Sequence, residues 1–218
     1  MAPPSGTTDD VVGAADEQRF LELVLANPTV TAVLARAPQL GLGEWWLTAG
    51  VLFQSVWNGL TGRDPAAGIR DADLFYFDPD TSWDAEDAVI RRGADLFGDL
   101  PVPVEIRNEA RVHLWYADRF GVPGPAPFRD CRDAIDSFAA VCCCYGIRVA
   151  AGGGVQVYAP HGYADLFDLV VRPNGRLAPR HVYDAKAVRW RTEWPQLTVL
   201  PWQDRLPGNT SDPSTAGG

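Results

Sequence analysis

The sequence predicts a single α/β (α+β) domain built on a mixed β-sheet flanked by helices, and three observations carry that prediction. Segments with helical spacing alternate with short apolar runs rich in aromatic and β-branched residues, the order expected when helices pack on a sheet. The 218 residues are 46% hydrophobic, enough to bury one good core. Pro, Gly, Ser, Thr and Asp gather at the two ends without apolar periodicity, so residues 1–14 and 207–218 are expected to be disordered tails around a domain of residues 15–206.

Taken in order, Asp16 to Ala26 carries Phe20, Leu21, Val24 and Leu25 at helical spacing. Asn27-Pro28 then reads as an N-cap followed by proline at the first position of a second helix. Pro38, Gly41 and Gly43 stop this region, and Trp45 to Ala49 reads as a short buried strand. Gly50 turns the chain into a helix over Val51 to Leu60, closed by Gly62. Such a turn is either a tight corner that needs positive φ or a place where free backbone N–H groups receive a phosphate.

Ala72 to Phe77 is the next strand. Thr81 to Asp84 resembles a capping box, and Val89, Ile90, Ala94 and Phe97 give the following helix its apolar stripe. Val102, Val104 and Ile106 alternate with Pro103, Glu105 and Arg107 in a strand that Pro103 places near a sheet edge. Helices are expected over Asn108 to Phe120, Asp130 to Ala140 and Ala164 to Val171, with a hairpin of Cys142 to Ala150 and Val155 to Tyr158 between the last two.

Charge and cysteine content narrow the function. A net charge of -9 argues against DNA and against any sequence-independent grip on nucleic acid, which draws its free energy from cations displacing counterions. No charged-then-apolar leader opens the sequence and no apolar run is long enough to cross a bilayer, which predicts a soluble cytoplasmic protein without a membrane partner. Cys142, Cys143 and Cys144 are consecutive and Cys131 is isolated, a pattern for buried reduced thiols rather than a zinc knuckle or a disulfide framework.

The most informative stretch is Gly68 to Asp78. Asp71 and Asp73 stand where strand propensity disfavours them, and alternation along a strand points both to one face. Two carboxylates one pleat apart can converge on a hard cation such as Mg²⁺, although a turn cap and a solvated strand entrance also produce Asp-x-Asp. Glu105 would project from the polar face of its strand, as a solvated residue or as a third ligand. A second feature is the density of cations from Arg172 to Arg191, including Arg176, Arg180 and Lys186, the only lysine. These residues form either a solvated face balanced by Asp184 and Glu193 or a clamp for polyphosphate, whose oxygens match arginine forks. His113 and His161 are possible helpers, and Trp83 and Trp202 are candidates for an exposed partner surface.

An ordered series of short runs resembles a known family: Trp46-Leu47-Thr48-Ala49-Gly50, Val56-Trp57-Asn58, Asp71 to Asp78, Glu105 to Trp115 and Ala159-Pro160-His161-Gly162-Tyr163. The series continues through Asp165-Leu166-Phe167 and Arg172-Pro173-Asn174 to Lys186 and Trp194-Pro195. Over roughly Trp45 to Trp202 the chain is similar to bacterial nucleotidyltransferases of the superfamily that includes DNA polymerase β. That resemblance implies the polymerase β-like nucleotidyltransferase fold and the transfer of a nucleoside monophosphate from an NTP such as ATP, with Mg²⁺ or Mn²⁺ as cofactor. It implies a phosphate-holding turn at Gly50, metal ligands at Asp71 and Asp73, and a third carboxylate at Glu105.

The superfamily turn usually carries a second small residue, whereas here Val51 follows Gly50 and Ser55 lies one helical turn on. Arg172, Arg176, Arg180 and Lys186 are the candidate phosphate contacts beside Gly50 and Ser55. The acceptor is open among a small molecule, RNA and protein. The rival reading is a catalytically inactive nucleotide-binding or protein-interaction module on the same fold.

Overall fold

The computed structural model describes residues 8–203, with side chains from residue 13 onward. The tails expected at residues 1–14 and 207–218 lie outside the described residues except for residues 8–14, which are helical. The elements run α1 (Thr8–Leu25), α2 (Pro28–Arg36), β1 (Trp45–Thr48), α3 (Gly50–Leu60), β2 (Ala72–Tyr76), α4 (Trp83–Phe97) and β3 (Val104–Asn108). They continue with α5 (Val112–Phe120), α6 (Cys131–Ile135), β4 (Gly146–Val149), β5 (Val155–Tyr158), α7 (Ala164–Phe167), β6 (Val170–Val171), α8 (Arg180–Glu193) and β7 (Thr198–Val199).

The central sheet has the order β3-β2-β1-β4-β5, with β2 parallel to β3 and the other pairs antiparallel. It is therefore mixed, as the alternation of elements implies, and β3 is an edge strand as Pro103 indicates. Alternation sorts the side chains of β1 and β2 to two faces. Trp45, Leu47, Leu74 and Tyr76 enter the main core with α2, α3 and α4, while Trp46 and Phe75 face a smaller cluster with Cys131 and Ile135 of α6. That second cluster covers only one end of its face. Asp71 and Asp73 share the Phe75 face at its other end.

Helix α3 is the post of the fold, buried from Gly50 to Asn58. Trp57 meets Phe53, Trp190 and Trp194 edge-on at ring separations of 4.7, 6.0 and 5.5 Å, locking α8 onto α3. Asn58 accepts from Trp194 Nε1 at 2.9 Å and donates to the Ala67 carbonyl at 2.8 Å. One buried amide thus ties α8 and the loop that delivers Asp71 to the same helix. Asn27 caps α2 as expected, accepting from Thr29 N, and its amide also reaches Ser55 Oγ. All four cysteines are buried free thiols.

Several boundaries differ from the sequence reading for local reasons. Ser82 rather than Thr81 caps α4, accepting from Ala85 N, and the rotation this sets puts Gly93 on the buried stripe with Val89 and Phe97 while Ile90 and Ala94 face water. The helix expected over Asp130 to Ala140 is limited to α6, and Val141–Cys143 forms a 3₁₀ turn ahead of β4. The helix expected over Ala164 to Val171 ends at Phe167 because Leu169 turns left-handed at φ 57°, which lets Val170–Val171 pair with Thr198–Val199. Glu109–Arg111 forms a 3₁₀ turn before α5.

Among the described residues no single helix is long and apolar enough to cross a membrane. The segments Gly13–Leu25 and Pro28–Leu40 reach that length and apolarity only jointly, bent by 96° where they meet, and their Phe20, Val24, Val30 and Val33 fill the core.

Candidate active site

The turn between β1 and α3 is the first part of the site. Ala49 adopts φ 56° and ψ -130°, a conformation that a residue with a Cβ rarely takes and that costs about 1–3 kcal/mol. The positive φ foreseen for Gly50 therefore belongs to Ala49, and at Gly50 the missing side chain leaves room beside the Gln54 amide and Asp71. An added methyl at Gly50 would stand 2.8 Å from Gln54 Nε2 and 3.7 Å from Asp71 Oδ1. The N-terminus of α3 thus comes up against the first acid. Val51 is fully buried, so the polar group beside the turn is Gln54, one helical turn on.

Asp71, Asp73 and Glu105 line one cavity of about 310 Å³ together with Gly50 and Gln54. Glu105 lies directly across from Asp73 in the parallel pairing of β3 with β2, so lateral neighbours on one sheet face supply two of the acids. Burial pushes the Asp73 carboxyl up to about 7, and the charges of Asp71 and then Glu105 push the same way against Lys186 and Arg107. Glu105 is half exposed and pairs with Arg107 at 3.2 Å.

Lys186 and Arg189 line the same cavity from α8, three residues apart on one helix face, and Arg119 lines it from the end of α5. The site therefore gathers carboxylates and cations around one cavity. Three carboxylates are an oxygen-only donor set suited to Mg²⁺ or Mn²⁺, and their repulsion of Asp73's negative charge is what a divalent cation would relieve. Among the described residues no group of three His, Cys, Asp or Glu side chains already stands at ligand spacing, so the acids form an open set.

Of the residues expected at the site, Gly50, Asp71, Asp73, Glu105 and Lys186 come together, and four others do not. Ser55 is fully buried inside the helix layer, where its hydroxyl donates to the Val51 carbonyl at 2.6 Å and accepts from Asn27 Nδ2 at 2.9 Å. Arg172 forms a bidentate pair with Asp165 at 2.6 and 2.9 Å. Arg176 pairs with Asp133 and, at 3.0 Å, with Asp136. Arg180 pairs with Asp184 at 3.2 Å one helical turn along α8. Arg172 and Arg176 line a separate cavity with Trp202, away from the acids.

Arg189, Arg119 and Gln54 are the additions. Arg189 lies inside the basic run and shares a helix face with Lys186, and Gln54 sits four residues from Gly50, so their spacing signalled both. Nothing in the sequence marked Arg119.

A second cavity, of about 230 Å³, adjoins the first at Asp73, Phe138 and Lys186, which line both. Its walls are mainly apolar and include Phe75, Trp115, Tyr116, Phe120, Phe128 and Phe138. Glu109 lies within it, buried, with its carboxyl well above the usual range because of burial and then the charges of Asp73 and Glu86.

A family model described as Nucleotidyltransferase matches residues 35–199. Among solved structures, a protein whose NMR structure reveals a CCA-adding enzyme head domain is similar over 85% of this chain and 96% of that chain, at 26% sequence identity and a TM-score of 0.70. No protein of curated function matches the chain.

Proposed function

The chain belongs to this nucleotidyltransferase family, and from that premise we propose that it moves a nucleoside monophosphate from a nucleoside triphosphate to an acceptor hydroxyl, with a divalent cation as cofactor. The observation that carries the reading is the cavity that Asp71, Asp73 and Glu105 line together with Lys186 and Arg189 beside the α3 N-terminus. Asp71 and Asp73, with Glu105, would hold Mg²⁺ or Mn²⁺, which supplies charge neutralisation for the triphosphate and activation of the attacking oxygen.

The free N–H groups at Gly50 suit phosphate oxygens, and the absent side chain admits them closely. Lys186 and Arg189 offset charge that builds on the leaving pyrophosphate. Glu105, half exposed at the sheet edge, is the carboxylate free to accept the acceptor's proton once Arg107 turns aside.

The acceptor remains among small molecules, RNA and protein. The CCA-adding head domain of the structural neighbour brings RNA forward, and the net charge of -9 weighs against DNA. The cytoplasm, where NTPs are abundant, is the fitting compartment.

Incubation with labelled NTPs, cell extract and Mg²⁺ or Mn²⁺ tests the reading. Label should pass to an acceptor with release of pyrophosphate, and Asp71→Asn should abolish this with little change in thermal unfolding. Turnover retained in that variant would remove Asp71 from the mechanism. The buried Val51 in the place of a small polar turn residue favours one alternative, a module that binds nucleotide without turnover. Calorimetry showing NTP binding with no pyrophosphate released in any extract would support it.

A further inference from the structure

We infer that the aromatic cleft adjoining the acidic cavity is the subsite for the nucleobase of the triphosphate, an inference that rests on the nucleotidyl-transfer reading above. The two spaces meet at Asp73, Phe138 and Lys186. On its other side the acidic cavity shares Asp71, Gln54 and Arg189 with a small polar pocket. Arg189 and Gln54 therefore lie on the Asp71 side, Lys186 stands at the junction, and past Asp73 the lining turns mainly apolar, with Arg107 at its margin. A nucleotide has the same order of chemistry, a charged tail, then the reacting phosphorus and sugar, then a flat heterocycle.

The cleft is built for such a ring. Trp115, Phe120, Phe128 and Phe138 give it π-faces on which a base can stack. Six polar side chains share this lining, Asp73, Arg107, Glu109, Tyr116, Ser137 and Lys186, and of these Asp73 and Lys186 stand at the junction with the acidic cavity. Glu109, 4% exposed, and Ser137 supply hydrogen-bonding groups beside the rings, which match the mixed donor and acceptor edge of a heterocycle.

The test compares inorganic tripolyphosphate with ATP, GTP, CTP and UTP by calorimetry on the full chain in Mg²⁺, for the wild type, Trp115→Ala and Phe128→Ala. At least one NTP should bind the wild type about tenfold or more tighter than tripolyphosphate, on the scale of one stacked base. Trp115→Ala should weaken that NTP about fivefold or more while leaving tripolyphosphate affinity unchanged. Phe128, on the loop before α6, provides a second variant with the same expected pattern should loss of the Trp115 indole disturb folding. Equal binding of tripolyphosphate and all four NTPs would overturn the inference, leave the phosphate site standing and turn the cleft over to the acceptor. NTP affinity unchanged in both variants would also overturn it. A wild type that binds neither tripolyphosphate nor any of the four NTPs in Mg²⁺ would overturn the transfer reading, and the inference with it.

Discussion

Replacing Asp73 by asparagine should stabilise the metal-free protein while removing its activity, and the size of the gain follows from the crowding of the acids. In the folded chain the Asp73 carboxyl is raised from 3.8 to about 7, by burial first and then by Asp71 and Glu105. A carboxyl that holds its proton more tightly when folded imposes no penalty below its unfolded value. The penalty grows as pH rises from about 4 and is complete above about 7. At roughly 1.4 kcal/mol for each tenfold change in proton affinity, the full penalty is on the order of 4 kcal/mol.

The neutral amide of the Asp73→Asn variant would escape that penalty but lose some hydration and hydrogen bonding, so a net gain of about 2 to 4 kcal/mol is expected at pH 8. For a domain of this size that is a Tm rise of roughly 5 to 15 °C. The assay is thermal or urea unfolding of both proteins in a chelator between pH 5 and 8.5. The difference should shrink steadily toward pH 5, and saturating Mg²⁺ should raise the Tm of the wild type more than that of the variant. An Asp73→Asn protein no more stable than wild type at pH 8 in chelator would refute the claim that the three carboxylates repel one another across a shared cavity.

Other outcomes separate the site from its surroundings. Lys186→Ala and Arg189→Ala should each lower kcat/KM for NTP by about ten- to a hundredfold, the scale of a charged hydrogen bond, whereas Arg172→Ala and Arg180→Ala should leave it near the wild-type value in the same steady-state assay. Ala49→Gly should raise the urea midpoint by the equivalent of about 1 kcal/mol because glycine accepts the left-handed φ, and Ala49→Val should lower it. Asn58→Leu should lower stability by about 2 to 4 kcal/mol in equilibrium unfolding, since it leaves the Trp194 indole N–H and the Ala67 carbonyl without their partner. Trp57→Ala should lower it by about 3 to 5 kcal/mol through the cavity left among Phe53, Trp190 and Trp194.

What was legible in the sequence is what short-range physics controls. Period-two alternation placed Asp71 and Asp73 on one face, Pro103 marked the edge strand, and Asn27-Pro28 announced the start of α2. The acidic wall follows from those local rules together with one strand pairing. The cation wall does not, because partner choice in space decides it. Arg172, Arg176 and Arg180 have charge and a near-helical spacing, yet Asp165, Asp133, Asp136 and Asp184 claim them, and three of those acids come from segments outside the basic run. Ser55 looks like a phosphate ligand from its type and its distance from Gly50, but the rotation of α3 turns it toward Asn27. The aromatic cleft was hidden for a similar reason: Trp115, Phe128 and Phe138 come from unconnected segments and read singly as core.

The bond between Trp194 and Asn58 has a mechanical consequence. The helix bearing Lys186 and Arg189 and the loop leading to Asp71 are bolted to a single strut, so positive and negative jaws keep a set gauge rather than swinging like a clamshell. Substrate traffic would then depend on long, jointed arms such as Lys186, Arg189 and Gln54 swivelling out of the gap. The working strokes of this machine should be measured in rotamer flips, not in domain travel.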